Sequence, residues 1–256
     1  MRSISAEQAL SYVSGLKLPA RRGYRSLETV KYAFDAAKNQ AMVVGADIVS
    51  FVQGVTPERR EDIVNSSLLA QLAAKKKVSD PKQIYDWYNT YFDVLTNIGW
   101  VIQDQGFSTY SEQSEGFEAH EAILKVAAVL LGPTASALAI VTAAVDALKS
   151  MSSDSPWITL FNRESQSANT ARFQVTLAEQ SKDDELLVSL MAFGLEATTT
   201  LTQVLFFKLG ANQATLKHYS GKVTINAHVL SSVRDGIKNR IAGFAKDYVE
   251  ALPPLG

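Results

Sequence analysis

The residues in this chain that could do chemistry are few and match no known reaction. His120-Glu121-Ala122-Ile123-Leu124 opens like the helical zinc-protease motif, in which a second histidine four residues after the first completes one metal-binding face. Leucine stands at 124, so that face offers a single ligand. Ser14-Gly15-Leu16-Lys17 and Ser79-Asp80-Pro81-Lys82 have the serine-lysine spacing of penicillin-recognising enzymes but lack the companion motifs. Asp183, Asp184 and Glu185 cluster carboxylates of the kind used in acid-base work, in a segment that reads as a hairpin turn. His218 and His228 flank a strand with no third ligand nearby in sequence. A nucleophile elbow, a phosphate loop, a dinucleotide fingerprint and an EF-hand loop are all absent. The chain contains no cysteine, which excludes thiolate catalysis, disulfides, cysteine-ligated metal and S-acylation. Sequence therefore assigns no catalytic residue, metal ligand or cofactor, and an enzyme here would need a site dispersed along the chain.

Contact chemistry is better represented. A helix that crosses a bilayer needs about 20 largely apolar residues. Val126 to Val145 has that length and carries no charge between Lys125 and Asp146. Gly132-Pro133 divides it into two pieces, each too short to cross alone, and its many alanines leave the insertion energy near balance. Two readings stay open: a pair of core helices joined at Gly132-Pro133, or a conditional membrane element hidden until it meets lipid. Under the second reading Leu130, Leu131, Leu138 and Ile140 are the contact residues. A second concentration of contact groups runs from Tyr85 to Tyr110, with Trp87, Tyr88, Tyr91, Phe92, Trp100 and Phe107 between them. Aromatic rings with polar tips suit membrane interfaces and ligand grooves, and Trp87 and Tyr91 are the candidates there. The same stripe at helical spacing also suits a core.

Composition narrows the classes further. Hydrophobic residues at 46% and charged residues at 20% describe a globular chain rather than a disordered one. A net charge of -1 gives no global attraction to nucleic acid or to anionic lipid. Acids at Asp86, Asp93 and Asp104 stand among the aromatics where a nucleic-acid surface would place bases, so no nucleic-acid partner is expected. The only dense basic runs are Arg21-Arg22 with Arg25, and Lys75 to Lys77. No apolar run follows Met1-Arg2, so the expected location is cytoplasmic, or outside the cell by a route that needs no secretory signal peptide.

The elements that must position these groups read as helices first and strands later. Ser5 and Gln8 form a capping-box pattern ahead of a short helix ended by Leu18-Pro19. Apolar residues at three- and four-residue spacing predict a helix over Ser26 to Ala46. Thr56-Pro57-Glu58 starts another that ends at Lys75 to Lys77, and Asp80-Pro81 starts the aromatic helix, which is expected to run through Val101 and Ile102 toward Gly106. From Trp157 the period shifts to two. Phe173 to Leu177, Leu186 to Phe193, Thr200 to Lys208 and Thr215 to Ile225 read as an antiparallel meander, with Leu186 to Phe193 central and a bulge at Ser220-Gly221. A last helix is predicted from Val229 to Tyr248. The expectation is an α+β protein: a helical N-terminal portion (1–150), then an antiparallel β-meander and a C-terminal helix (151–256), in one compact unit.

Met191-Ala192-Phe193-Gly194-Leu195-Glu196, followed by Thr202-Gln203-Val204-Leu205-Phe206-Phe207-Lys208, resembles the C-terminal sheet of the Erwinia-type virulence factor family and related uncharacterised bacterial and fungal proteins. The resemblance spans about the last 90 residues and carries no catalytic signature. It implies a host-directed or membrane-associated role. Family anchoring through an acylated cysteine cannot operate in a chain without cysteine. The favoured function is thus contact with a lipid surface or apolar ligand by a virulence or toxin-like factor. The alternatives are a protein-binding or structural module with a host or other partner protein, or an enzyme with a dispersed site.

Overall fold

A computed structural model describes residues 4–20, 31–103, 106–110, 116–133, 135–181, 183, 185–206, 208–210 and 214–255. The basic run at Arg21, Arg22 and Arg25 lies outside them. In chain order the elements are α1 (Ala6–Gly15), β1 (Gln40–Val44), β2 (Asp47–Phe51), α2 (Pro57–Lys77), α3 (Ile84–Asn97), β3 (Trp100–Val101), β4 (Ser108–Thr109), β5 (Gly116–Glu118), α4 (Ala119–Leu131), α5 (Ser136–Lys149) and α6 (Pro156–Ser165). They continue with β6 (Gln166–Ser167), β7 (Thr170–Gln180), β8 (Leu186–Ala197), β9 (Lys208–Gly210), β10 (Ala214–Ile225), α7 (Ala227–Ile241), α8 (Ala245–Tyr248) and β11 (Val249–Ala251).

Local chemistry accounts for the helix starts. Ser5 and Gln8 close the capping box reciprocally, at 3.2 and 3.0 Å. Thr56 caps α2 with Pro57 in its first turn, and Lys75, Lys76 and Lys77 sit at its negative end. Ser155 and Pro156 start α6 in the same way.

The main sheet runs β11-β1-β2-β7-β8-β10-β3. Every pairing is antiparallel except β2 with β7, which is parallel. The protein is therefore α+β with a mixed sheet, not the simple antiparallel meander expected. One face of the sheet meets α1, α2, α3 and α7 around Trp87, Tyr88, Tyr91 and Phe92. The other meets α4, α5 and α6 around Phe161, Phe173 and Phe193. Both faces of β8 are thus covered, which is why Leu186 to Phe193 reads as nearly continuous apolar sequence.

Several expectations are corrected. Residues 31–39 are not helical, and Gln40–Val44 is a strand paired to β2 and β11. Ala41 and Val43 face one core while Met42 and Val44 face the other, so strand pairing overrides the helical spacing of this segment. Gly45, at φ +57°, turns the chain into β2, where a Cβ would lie 2.5 Å from Gln71 Oε1. The aromatic helix stops at Asn97 because Gly99, at φ +104°, turns the chain so that Trp100–Val101 can pair with β10. Trp157 begins a helix rather than a strand. Residues 200–206 are not a strand: β8 and β10 pair directly from Ala197 with Ala214 to Leu187 with Thr224, which leaves no place between them. That pairing is continuous, so there is no bulge at Gly221. The glycine instead makes room for the Tyr219 ring, whose hydroxyl occupies the space a Cβ would need. The last helix breaks after Ile241, and the chain goes on through α8 to the edge strand β11.

Candidate functional site

The charge-free segment folds as two helices joined at Gly132, whose φ of +98° ends α4. Glu118 and Glu121 form a capping box at the start of α4. The Ala135 N–H donates to the Gly132 carbonyl at 3.2 Å, which redirects the chain into α5. Ala122, Ile123, Val126 and Ala127 of α4 face the core together with Ala137, Ile140, Val141, Ala144, Val145 and Leu148 of α5. Thr142 of α5 donates its hydroxyl to the Leu138 carbonyl at 2.9 Å and so remains compatible with apolar surroundings.

The outer end of the pair differs from its base. Val129 is 87% exposed, and Leu10 is the only other large apolar side chain so exposed among the described residues, at 46%. Leu130, Leu131 and Leu138 are half-buried, Ile140 is buried, and Pro133 and Ala139 are exposed. The hairpin therefore presents an apolar tip with no charge between Lys125 and Asp146. Neither sequence reading expected this, since both placed the whole segment out of water. Val129 continues the outward face of α4 that Glu121 and Lys125 occupy, one turn apart, so an apolar residue falls where the helix meets water. No helix among the described residues is long and apolar enough to cross a membrane.

Trp87 and Tyr91 lie elsewhere, in α3 between α2 and the sheet, and are buried. Their rings stack at 5.4 Å, and the Arg172 guanidinium covers Trp87 at 4.8 Å from its centroid. The structure thus does not bring these two aromatics together with the α4–α5 tip, and neither presents a surface to a membrane. Tyr88 beside them lies 2.9 and 2.8 Å from the carbonyls of Phe173 and Phe193 and accepts from Gln174 Nε2 at 3.0 Å. Burial pushes the Tyr88 and Tyr91 phenols well above their ordinary value, so both stay neutral.

The other chemical candidates resolve into local roles. His120 is buried, accepts from Lys149 Nζ at Nε2 (3.1 Å) and holds Nδ1 3.0 Å from Glu118 Oε2. No group of three or more potential metal ligands occurs among the described residues. Ser181 Oγ accepts from the backbone N–H of Asp183 and Glu185, confirming a turn there; Asp184 lies outside the described residues. Burial depresses the pKa of His218, which packs against Tyr110 and Phe193.

One buried group escaped sequence reasoning. Asp47 is fully buried at the start of β2, and Ser67 and Thr176 donate to it. In sequence it follows the segment whose spacing predicts a helix to Ala46, and nothing there signals its burial.

No protein-family model and no curated protein matches this chain. Among solved structures it is similar to a delta-endotoxin, at 13% identity and a TM-score of 0.41 over 84% of this chain and 96% of the other. It is also similar to the Evf virulence factor, at 11% identity and a TM-score of 0.37 over 96% of this chain and 91% of the other. The virulence factor resembled by the C-terminal sheet is thus among the structural neighbours. At these scores the likeness assigns neither a fold family nor an activity.

Proposed function

We propose that this protein contacts lipid surfaces through the tip of the α4–α5 hairpin. The exposure of Val129 at the end of a charge-free segment carries the reading. An isolated exposed valine is ordinary, but here it is followed by half-buried Leu130 and Leu131, with half-buried Leu138 across the turn, and the nearest charge along α4 is Lys125, one turn back. The tip enters the boundary between headgroups and acyl chains as it stands, with the inner faces of both helices still on the sheet. The virulence or toxin-like setting rests on the resemblance of the C-terminal segment and is part of the same proposal.

Val129→Asp tests this without disturbing the core, because the side chain already lies in solvent. Thermal unfolding should be unchanged, within about 0.5 kcal/mol. Loss of the valine's insertion among acyl chains and introduction of a charge at the membrane should together weaken binding by tens-fold or more, since each 1.4 kcal/mol is tenfold. Co-sedimentation with phosphatidylcholine/phosphatidylglycerol vesicles measures it. Failure of the wild type to bind, or equal binding by the variant, would remove the proposal.

A further inference from the structure

A buried carboxyl that the lipid contact does not use joins three elements of the other helical layer. Asp47 begins β2 and is fully buried. Its Oδ2 is 2.7 Å from Ser67 Oγ of α2, and Thr176 Oγ1 of β7 lies 2.9 and 3.1 Å from its two oxygens. Gln71, one turn further along α2, donates to Ser67 Oγ at 3.1 Å and to the Val44 carbonyl at 2.8 Å, and accepts from the Ala46 N–H at 2.9 Å. Ser67 and Thr176 thus tie α2 and β7 to the carboxyl directly, while Gln71 ties α2 to the β1–β2 turn through backbone groups and reaches the carboxyl only by way of Ser67.

The groups around Asp47 supply no countercharge. From α3 the facing titratable groups are Tyr88 and Tyr91, both neutral, with Tyr91 ending beside Ser67. The cation of β7, Arg172, lies over the Trp87 ring. On α2, Arg60 is spent on the carbonyls of Val55, Lys38 and Val52 and on Gln40 Oε1. Asp62 of α2 pairs with Arg234. Among the described residues Asp47 has no salt bridge. Burial, only partly offset by the Ser67 and Thr176 hydroxyls and the Thr176 backbone N–H, lifts its pKa to about 7.

We propose that Asp47 is a protonation switch that locks α2 onto β2 and β7 when neutral and loosens that contact when ionised. In the neutral form the 2.7 Å contact reverses, the Oδ2–H donating to Ser67 Oγ, while Oδ1 still accepts from Thr176 Oγ1 at 3.1 Å. Ionised, it is a buried charge held by hydrogen bonds alone, with no cation to offset its desolvation. The folded state holds this proton more tightly than the unfolded chain does. The stabilisation is therefore complete below the ordinary carboxylate range and is lost as pH rises through about 7. From pH 5 to pH 8 the unfolding equilibrium constant should rise on the order of fifty-fold through this group.

Asp47→Asn removes the charge while keeping an acceptor and a donor. Urea unfolding at pH 5, 6, 7 and 8 should show the wild type losing stability with rising pH by that factor and the asparagine variant losing most of the trend. An equal trend in both proteins would overturn the switch. If the variant does not fold, wild-type measurements decide the matter. The Asp47 carboxyl carbon should titrate near neutral pH by NMR, and α2 amides should exchange faster at pH 8 than at pH 6 after correction for intrinsic rates, relative to those of β8. Titration below pH 5, or no change confined to α2, refutes it. These readouts do not involve lipid and stand or fall apart from the hairpin's role.

Discussion

Trp87 shows how a single residue divides function from packing. Its ring stacks on Tyr91, meets Tyr88 edge-on at 5.2 Å and carries the Arg172 guanidinium on its face. Three neighbours thus depend on one indole, and the guanidinium would lose the π face that offsets its burial. Trp87→Ala should cost about 3–5 kcal/mol, enough to unfold many domains, read as a fall in the urea midpoint. An unchanged midpoint would show that the site repacks or that the ring carries little of the core's stability. Val129 is the opposite case, since its removal should leave stability intact and act only on binding. The two residues are equally apolar in sequence, and their surroundings alone separate them.

At the scale of elements, β8 and the α4–α5 pair show what a long apolar run can become. In β8 the run is a strand with both faces covered: Val188 stands opposite Ala178 of β7 and Val223 of β10. Val188→Lys should place an unpaired ammonium between two strands and under α-helices, and so abolish folding or cost several kcal/mol. Circular dichroism and recovery in the soluble fraction would register it. A stable variant would mean that the strand can be displaced from the sheet. In α4 and α5 the apolar run is instead divided by Gly132, so the inner faces are buried while Val129, Pro133 and Ala139 are exposed. Continuous hydrophobicity thus gives complete burial in one element and partial exposure in the other.

For the whole molecule, the parallel link between β2 and β7 matters most. It ties strands from the early part of the chain into the centre of a sheet completed by later ones, so neither half of the sequence holds a finished core. α7 packs on α1 and α2, adding contacts between the two ends of the chain. Because the chain has no cysteine, a pair introduced between α5 and β2 would be the only disulfide, and it would hold the hairpin to the sheet. Oxidised and reduced forms should bind vesicles equally, since the tip is exposed without any rearrangement. Binding restored only by reduction would mean that the helices must leave the sheet to reach lipid.

Sequence by itself determined the features that rest on neighbours along the chain. The Ser5–Gln8 box, the Thr56-Pro57 start of α2, its lysine end and the break at Gly132-Pro133 all depend on nearby residues and are found as expected, and the apolar run of Leu186 to Phe193 is a central strand buried on both faces from Val188 on. The α+β class follows from the same local patterns. Tertiary structure decided what depends on distant partners. Ala41 to Val44 has spacing compatible with a helix and becomes a strand because β2 and β11 offer hydrogen bonds on both edges. Residues 200–206 are apolar enough for a strand, but Leu201, Val204 and Leu205 instead fill the core beside a sheet in which β8 and β10 are already paired. The exposure of Val129 and the burial of Asp47 have the same origin. A side chain's distance from water is set by the elements that fold over it, and those lie far away along the chain.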